Sequence, residues 1–254
     1  MSDWNPILYE RFLQDRTKPS KDLASHISIQ PKSVFDLGCG TGNSTNVLAQ
    51  KFQNADITGG DSSETMLKKA QENYPMIKFI QFNAETDWNT LPCYDLIFSN
   101  ACIQWIPEHK RLIPTMISHL NNGGQLAVQF PMQTEHPFHK LVQQIAHSDK
   151  WKSKFRTEVK YNVLTKEEYF DIISECTDNF ELWQTNYCHR MPSHQSIVDW
   201  FRSTGLQPFM SQLTESEQVD FEQDILNELM TIYPVRANGE LLFEFPRMFF
   251  VARK

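Results

Sequence analysis

Apolar positions along this chain come in short runs that stop at small or acidic residues. Between the runs, apolar residues recur at helical spacing. The first run, Val34-Phe35-Asp36-Leu37, reads as a buried strand. It meets Gly38-Cys39-Gly40-Thr41-Gly42 and then a polar helix start, Asn43-Ser44-Thr45, ahead of Val47 and Leu48. The second, Ile57 to Asp61, meets Ser62-Ser63-Glu64, hydroxyl caps with an acid in the first turn. Ile77 to Phe82 is a third strand, ending at Asn83-Ala84-Glu85. Tyr94 to Ala101 is a fourth, and Gln125 to Phe130 a fifth, introduced by the turn Asn121-Asn122-Gly123-Gly124. Strands alternating with helices predict a parallel sheet, and ligands of such folds sit beyond the carboxyl ends of the strands. Residues 38–42, 61, 83–84 and 99–101 all fall at such ends, so separate segments converge on one crevice.

After Phe130 the pattern changes. Residues 180–191 read as a sixth strand and 245–253 as the last. Between them, residues 193–233 read as helices. Ser193 can cap the segment holding Ile197, Val198, Trp200 and Phe201, and Thr214-Glu215-Ser216-Glu217 forms a capping box. Thr165-Lys166-Glu167-Glu168 is a second box, with Leu164 and Tyr169 placed for a hydrophobic staple. Residues 131–160 carry no clear strand. The expected architecture is α/β: a doubly wound, mostly parallel seven-stranded sheet with an inserted helical cap. The chain is read as one domain, 1–254, with a core at 31–130. The cap is built from 131–160, 193–235 and the N-terminal 1–30, and residues 180–191 and 245–253 are the last strands.

Composition narrows the classes. The 254 residues, 40% of them hydrophobic and 22% charged, describe a globular chain with no apolar stretch of membrane-spanning length. The start of the chain lacks the basic and apolar regions of a signal peptide. Its five cysteines form no CxxC pair, so a cytoplasmic location is expected and a disulfide framework is not. A net charge of −7 without a long basic run argues against nucleic acid as a partner. Oligomeric state is not legible. His136 with His139, and His189 with His194, each offer two imidazoles without a third ligand, so no metal is expected.

The chemistry begins with the glycines. A dinucleotide fingerprint needs Gly or Ala where Asn43 stands, which discourages a nicotinamide oxidoreductase, and no P-loop pattern is present. What remains, D-x-G-x-G-x-G, resembles motif I of the class I S-adenosylmethionine (SAM) methyltransferases, which are Rossmann-like. The alternatives are another nucleotide or a purely structural turn. Asp61 falls where an acid accepts hydrogen bonds from ribose hydroxyls; its bland reading is an ordinary loop Asp. The resemblance places Asn83 and Ala84 at the adenine, although an acid is usual where Asn83 stands. It places the end of the fourth strand, with Asn100, at the transferable methyl. The expected cofactor contacts are Asp36, Gly38, Cys39, Gly40, Gly42, Asn43, Asp61, Ser62, Asn83, Ala84 and Asn100. Cys39 is read as a small residue tolerated in the loop and not as a nucleophile.

The resemblance runs further, to the trans-aconitate 2-methyltransferase family. It is carried by Met1-Ser2-Asp3-Trp4-Asn5-Pro6 with Tyr9, by Asp36 to Thr45 and by Asp95 to Trp105. Met191-Pro192-Ser193-His194-Gln195, Asp199-Trp200 to Gly205, Leu213 to Gln218 and Phe245 to Arg253 extend it. It implies methyl transfer from SAM to one carboxylate of a small tricarboxylic or dicarboxylic acid, trans-aconitate, as a monomethyl ester. Such an acid is already ionised at neutral pH, so no general base is needed. Fixed cations are needed instead, and Arg suits bidentate capture of a carboxylate. The candidates are His189, Arg190, His194, Arg202 and Arg247, with Trp4, Tyr9 and Trp105 as walls. Each Arg could equally be a surface charge, and each aromatic a core residue. Two other readings stay open: a SAM-dependent enzyme for another small or carrier-bound carboxylic acid, and a SAM-binding protein without turnover.

Overall fold

The computed structural model describes residues 6–202 and 204–254, with side chains from Asp15 onward apart from Arg16. Trp4 and the side chain of Tyr9 lie outside the described residues. The elements run in chain order as α1 (Pro6–Ser25), β1 (Ser33–Leu37), α2 (Asn43–Lys51), β2 (Asp56–Asp61) and α3 (Glu64–Asn73). Next come β3 (Lys78–Gln81), β4 (Tyr94–Asn100), α4 (His109–Ser118), β5 (Leu120–Pro131), α5 (Pro137–Ala146) and α6 (Lys166–Ser174). The series closes with β6 (Phe180–Met191), α7 (His194–Arg202), α8 (Gln207–Met210), α9 (Glu215–Ile232) and β7 (Leu241–Arg253).

All seven strands form one sheet in the order β3-β2-β1-β4-β5-β7-β6. The pairs β1–β2, β1–β4, β2–β3 and β4–β5 are parallel, and β5–β7 is antiparallel. The order reverses between β1 and β4. Right-handed crossovers then send the connections of β1 and β2 to one face and those of β4 to the other, which opens a crevice at that switch point. Register aligns the ends there, with Leu37 opposite Gly60 on one side and Ser99 on the other. Buried on both faces, the central strands are mostly apolar: Phe35, Leu96, Ile97, Phe98, Leu126, Ala127 and Val128 have no accessible surface.

The chain divides into two compact units. The first comprises residues 1–131, 162–185 and 247–254, and the second 132–161 and 186–246. In the first, α1 packs on α2 and β5, and α4 on α6 and β5. Helix α1 therefore groups with the sheet, whereas the sequence reading assigns it to the cap. In the second, α5 and α7 both pack on α9. Its core is aromatic, with Phe138 stacked on Phe201 at 4.0 Å between ring centres.

The local signals in the sequence decide most element ends. Both capping boxes form: Thr165 with Glu168, and Thr214 with Glu217, each satisfying the other's backbone N–H. Ser63 caps α3 through the N–H of Met66, and the Ser193 hydroxyl accepts from the N–H of Ser196. Two strands start earlier than expected. β7 begins at Leu241, and β5 at Leu120, across a register shift opposite Tyr94 and Leu96.

A buried polar pair joins α4 to α6. The Nε2 of His109 lies 2.8 Å from the carbonyl of Ile103, so it carries the proton, and Nδ1 accepts from the Tyr169 hydroxyl at 2.6 Å. Tyr169 in turn accepts the N–H of Leu164 at 3.3 Å. Burial holds the His109 imidazole below its ordinary pKa, in the neutral form this arrangement needs. Tyr169→Phe leaves two buried polar groups without that partner and is expected to cost about 1–3 kcal/mol in urea unfolding. Unchanged stability would show that the hydroxyl contributes nothing net.

Candidate functional site

The segment after β1 is a tight turn held from three sides. Gly38 and Cys39 donate their N–H groups to the carbonyl of Gly60 at 2.7 and 3.1 Å, and Gly42 donates to Cys39 at 2.9 Å. Gly40 donates to Oδ2 of Asp61 at 2.9 Å, and the other oxygen of Asp61 accepts from Ser63 at 2.9 Å. Asp61 thus binds the glycine turn to the start of α3.

All three glycines of the motif have positive φ, yet for different reasons. A Cβ on Gly38 would lie 2.1 Å from the sulfur of Cys102, and one on Gly42 would lie 2.7 Å from the ring of Tyr74. Packing therefore requires those two. A Cβ on Gly40 would meet nothing within 4 Å. Gly40 alone among the three presents its backbone to open space.

Asp36 is fully buried on β1, where Oδ2 accepts from the hydroxyls of Ser44 at 2.7 Å and Thr45 at 2.6 Å. Its Oδ1 is buried with no hydrogen-bond partner among the described residues. Burial outweighs the two hydroxyl bonds and pushes the carboxyl up to about 7. Cys39 is buried as well, and its thiol is raised beyond the usual range, as an inert residue's would be.

Asn43 is committed to the loop: Oδ1 accepts from the Tyr74 hydroxyl at 2.9 Å, and Nδ2 donates to Thr41 at 3.3 Å. It holds the turn in shape. Tyr74, which follows α3, was missed because nothing local marks it. Asn83 is exposed, and its side-chain oxygen accepts the N–H of Glu85 at 3.0 Å; Ser62 is exposed beside Asp61. The carbonyl of Ala84 takes the Trp88 indole N–H at 2.7 Å. A cavity of about 180 Å³ opens there, lined by Ala84, Trp88, Ile106, Arg111 and Thr115 among others. At the end of β4, Asn100 carries a buried Oδ1 without a partner among the described residues. Ala101 follows with φ 55°, a left-handed conformation that a residue with a Cβ adopts only under constraint.

A family model described as a methyltransferase domain matches residues 34–124. The trans-aconitate 2-methyltransferase of Escherichia coli O7:K1 (strain IAI39 / ExPEC) is 41% identical, over 100% of this chain and 99% of its own. The chain belongs to the trans-aconitate 2-methyltransferase family. It is a SAM-dependent methyltransferase. Two solved structures share the fold at low identity. The YcgJ protein of Bacillus subtilis has a TM-score of 0.62 at 13% identity, covering 95% of this chain and 98% of its own. A phosphoethanolamine N-methyltransferase 2 of Haemonchus contortus, in complex with SAM, has a TM-score of 0.55 at 15% identity, covering 92% and 52%.

Among the residues expected to meet the acceptor of a trans-aconitate 2-methyltransferase-like enzyme, the structure separates the cations. In the second unit, Arg190 is exposed and pairs with Glu240 at 2.7 Å through Nε and Nη2. Arg202 makes a two-point pair with Glu222 at 2.8 and 2.6 Å and reaches Asp199 at 3.0 Å. Both guanidinium groups hold carboxylates of their own unit. His194 donates from Nε2 to the carbonyl of Tyr233 at 2.8 Å. His189 is buried against Trp200, with ring centres 5.1 Å apart, inside the aromatic core. In the first unit, Arg247 is only 6% exposed on β7, and its Nη1 donates to Oε1 of Gln129 at 3.3 Å. Trp105 is 43% exposed in the turn after β4, so it is not a core residue. No helix among the described residues is long and apolar enough to cross a membrane.

The raised carboxyl of Asp36 has a consequence for stability. An acid whose folded pKa exceeds its unfolded value favours the folded state below the unfolded pKa, here about 3.8, and that contribution is lost as pH rises through about 7. The loss amounts to about 4 kcal/mol. Asp36→Asn removes the titration. Wild type should therefore lose stability relative to Asp36→Asn between pH 4 and 7 in chemical denaturation. Parallel curves would mean that Asp36 keeps an ordinary pKa.

Proposed function

We propose that this chain transfers a methyl group from SAM to one carboxylate of trans-aconitate, giving a monomethyl ester. The observation that carries the reading is the full-length similarity to enzymes of that name, 41% identical with no uncovered segment in which a different acceptor site would reside. The buried guanidinium of Arg247 supports it, because an anionic acceptor needs a fixed cation.

The residues of the glycine turn fit the cofactor. The open space in front of Gly40 admits close approach of a ligand to the backbone. The partnerless oxygen of Asp36 and the buried Oδ1 of Asn100 suit a ligand that brings cationic or N–H groups. Asp61, already fixed by two N–H groups, keeps lone pairs for ribose hydroxyls, and Ser62 with Asn83 and Ala84 borders the base. When bound, SAM supplies a methyl group made electrophilic by the sulfonium. The chain's part is positional. The acceptor carboxylate is ionised at neutral pH and needs no base, so the work lies in alignment, exclusion of water and placement of charge, which can be worth several kcal/mol.

Two experiments check these assignments. A SAM assay over a panel of di- and tricarboxylic acids, read by mass, should give ester with trans-aconitate above the others; ester with none would sink the reading. In the same assay, Arg247→Gln should raise KM by roughly 10- to 150-fold, the equivalent of one charge-assisted contact, with affinity for S-adenosylhomocysteine (SAH) nearly intact. A lowered melting temperature with unchanged KM would assign Arg247 to the last strand alone.

For the turn, Gly40→Asn is more informative than a β-branched substitution, since Asn tolerates left-handed backbone. It should keep the fold and weaken SAH binding at least tenfold by calorimetry. Undiminished affinity would make Gly40 a simple turn residue.

A further inference from the structure

We infer that Gln129 is a specificity-determining residue of the acceptor pocket. It fixes the Arg247 guanidinium through one end of its amide and offers the other end as a donor to a carboxylate of the acceptor. The inference rests on the proposed carboxylate methylation.

The sequence places Gln129 where a structural role does not call for it. It stands within Leu126-Ala127-Val128-Gln129-Phe130, the most deeply buried run of β5, and has no accessible surface itself. Every neighbour in that run is apolar, and an amide costs free energy there unless both of its ends are satisfied. One end is satisfied: Oε1 accepts from Nη1 of Arg247 at 3.3 Å. A guanidinium has donors only, so this contact decides which end of the amide is oxygen. The nitrogen, Nε2, is buried with no hydrogen-bond partner among the described residues.

The strands set Gln129 beside the switch point. Its register partner on β4 is Asn100, the last residue of that strand, and its own carbonyl accepts the N–H of the left-handed Ala101 at 2.8 Å. On the other side Pro131 is opposite Arg247. A carboxylate is the group that suits this pair. It can accept from a guanidinium N–H on one side and an amide N–H on the other. Neither donor can serve a neutral or cationic acceptor in the same way. The amide beside the guanidinium therefore selects for an acid with a carboxylate to spare, one held here while another is methylated.

Two substitutions of Gln129 divide this role from a structural one. Gln129→Leu keeps the volume and removes both contacts. Gln129→Glu keeps an acceptor for Arg247 and replaces the donor with negative charge. Calorimetry of trans-aconitate against the SAH complex should show affinity reduced by about 10- to 100-fold in the Leu variant and at least as much in the Glu variant. SAH affinity should stay within about twofold, and the Glu variant should melt at or above wild type. The preference in kcat/KM for tricarboxylic over monocarboxylic acids should shrink in both. If the Leu variant does not fold, the Glu variant decides, because a purely structural Gln129 would leave it active with an unchanged preference. That outcome overturns the assignment. A wild type that methylates none of the acids overturns the carboxylate reading itself, and the assignment with it; if another acid is methylated, the same comparisons use that acid.

Discussion

One carboxylate holds the candidate cofactor site together. Asp61, the last residue of β2, accepts an N–H from the turn after β1 and another from the start of α3. The N-terminus of a helix carries partial positive charge, so an anion there is favoured even before any ligand arrives. The same carboxylate satisfies the N–H of Gly40, which in its left-handed conformation has no strand or helix to donate to. Gly38 and Cys39 add two bonds to the carbonyl of Gly60, one residue earlier on β2. The turn is thereby shaped by its neighbouring strand, and ligand binding need not meet the entropy of ordering it.

Asp36 imposes a second constraint from below the same turn. Two hydroxyls of the first turn of α2 reach back to it, which fixes the angle at which that helix leaves the sheet. Yet two neutral donors do not compensate a fully buried anion, and the carboxyl rises toward neutrality. A local instability of this kind is what a cationic ligand relieves, because the ionised form then gains a partner. In this view the stability lost at neutral pH in the free protein is linked to affinity: what favours ionised Asp36 also favours the bound state.

How far the sequence could be read depended on the range of the interaction that decides each feature. The capping boxes at Thr165 and Thr214 are complete within four residues, and both were legible. The glycine spacing marked the turn, and the acid at the end of β2 was found from its distance along the chain. Glycine spacing could not show that Gly38 and Gly42 answer to Cys102 and Tyr74, since those residues come from other elements. The Tyr74 hydroxyl on Asn43 spans 31 residues, and Glu240 lies 50 residues from Arg190 and Glu222 lies 20 from Arg202. An arginine in a sequence does not state who neutralises it. Gln129 did leave a trace, a lone polar residue in an apolar strand. Its meaning required knowing that Arg247 lies on the adjacent strand.

Those arginines also show why net charge says little about an anionic substrate. The chain carries −7, and an incoming polyanion is repelled at long range. Arg190 and Arg202 do not counter that, because each is matched by internal acids at the surface, where further charge is screened within about 8–10 Å. Arg247 differs in environment more than in chemistry. Burial strips its water, and the amide of Gln129 fixes one side of its guanidinium. A carboxylate arriving there meets a cation whose attraction is not diluted by solvent. On the proposed carboxylate reading, burial of that guanidinium is what lets a protein of negative charge bind a polyanion. The long-range repulsion then acts mainly on the rate of encounter, and the buried contact on how long the acceptor stays.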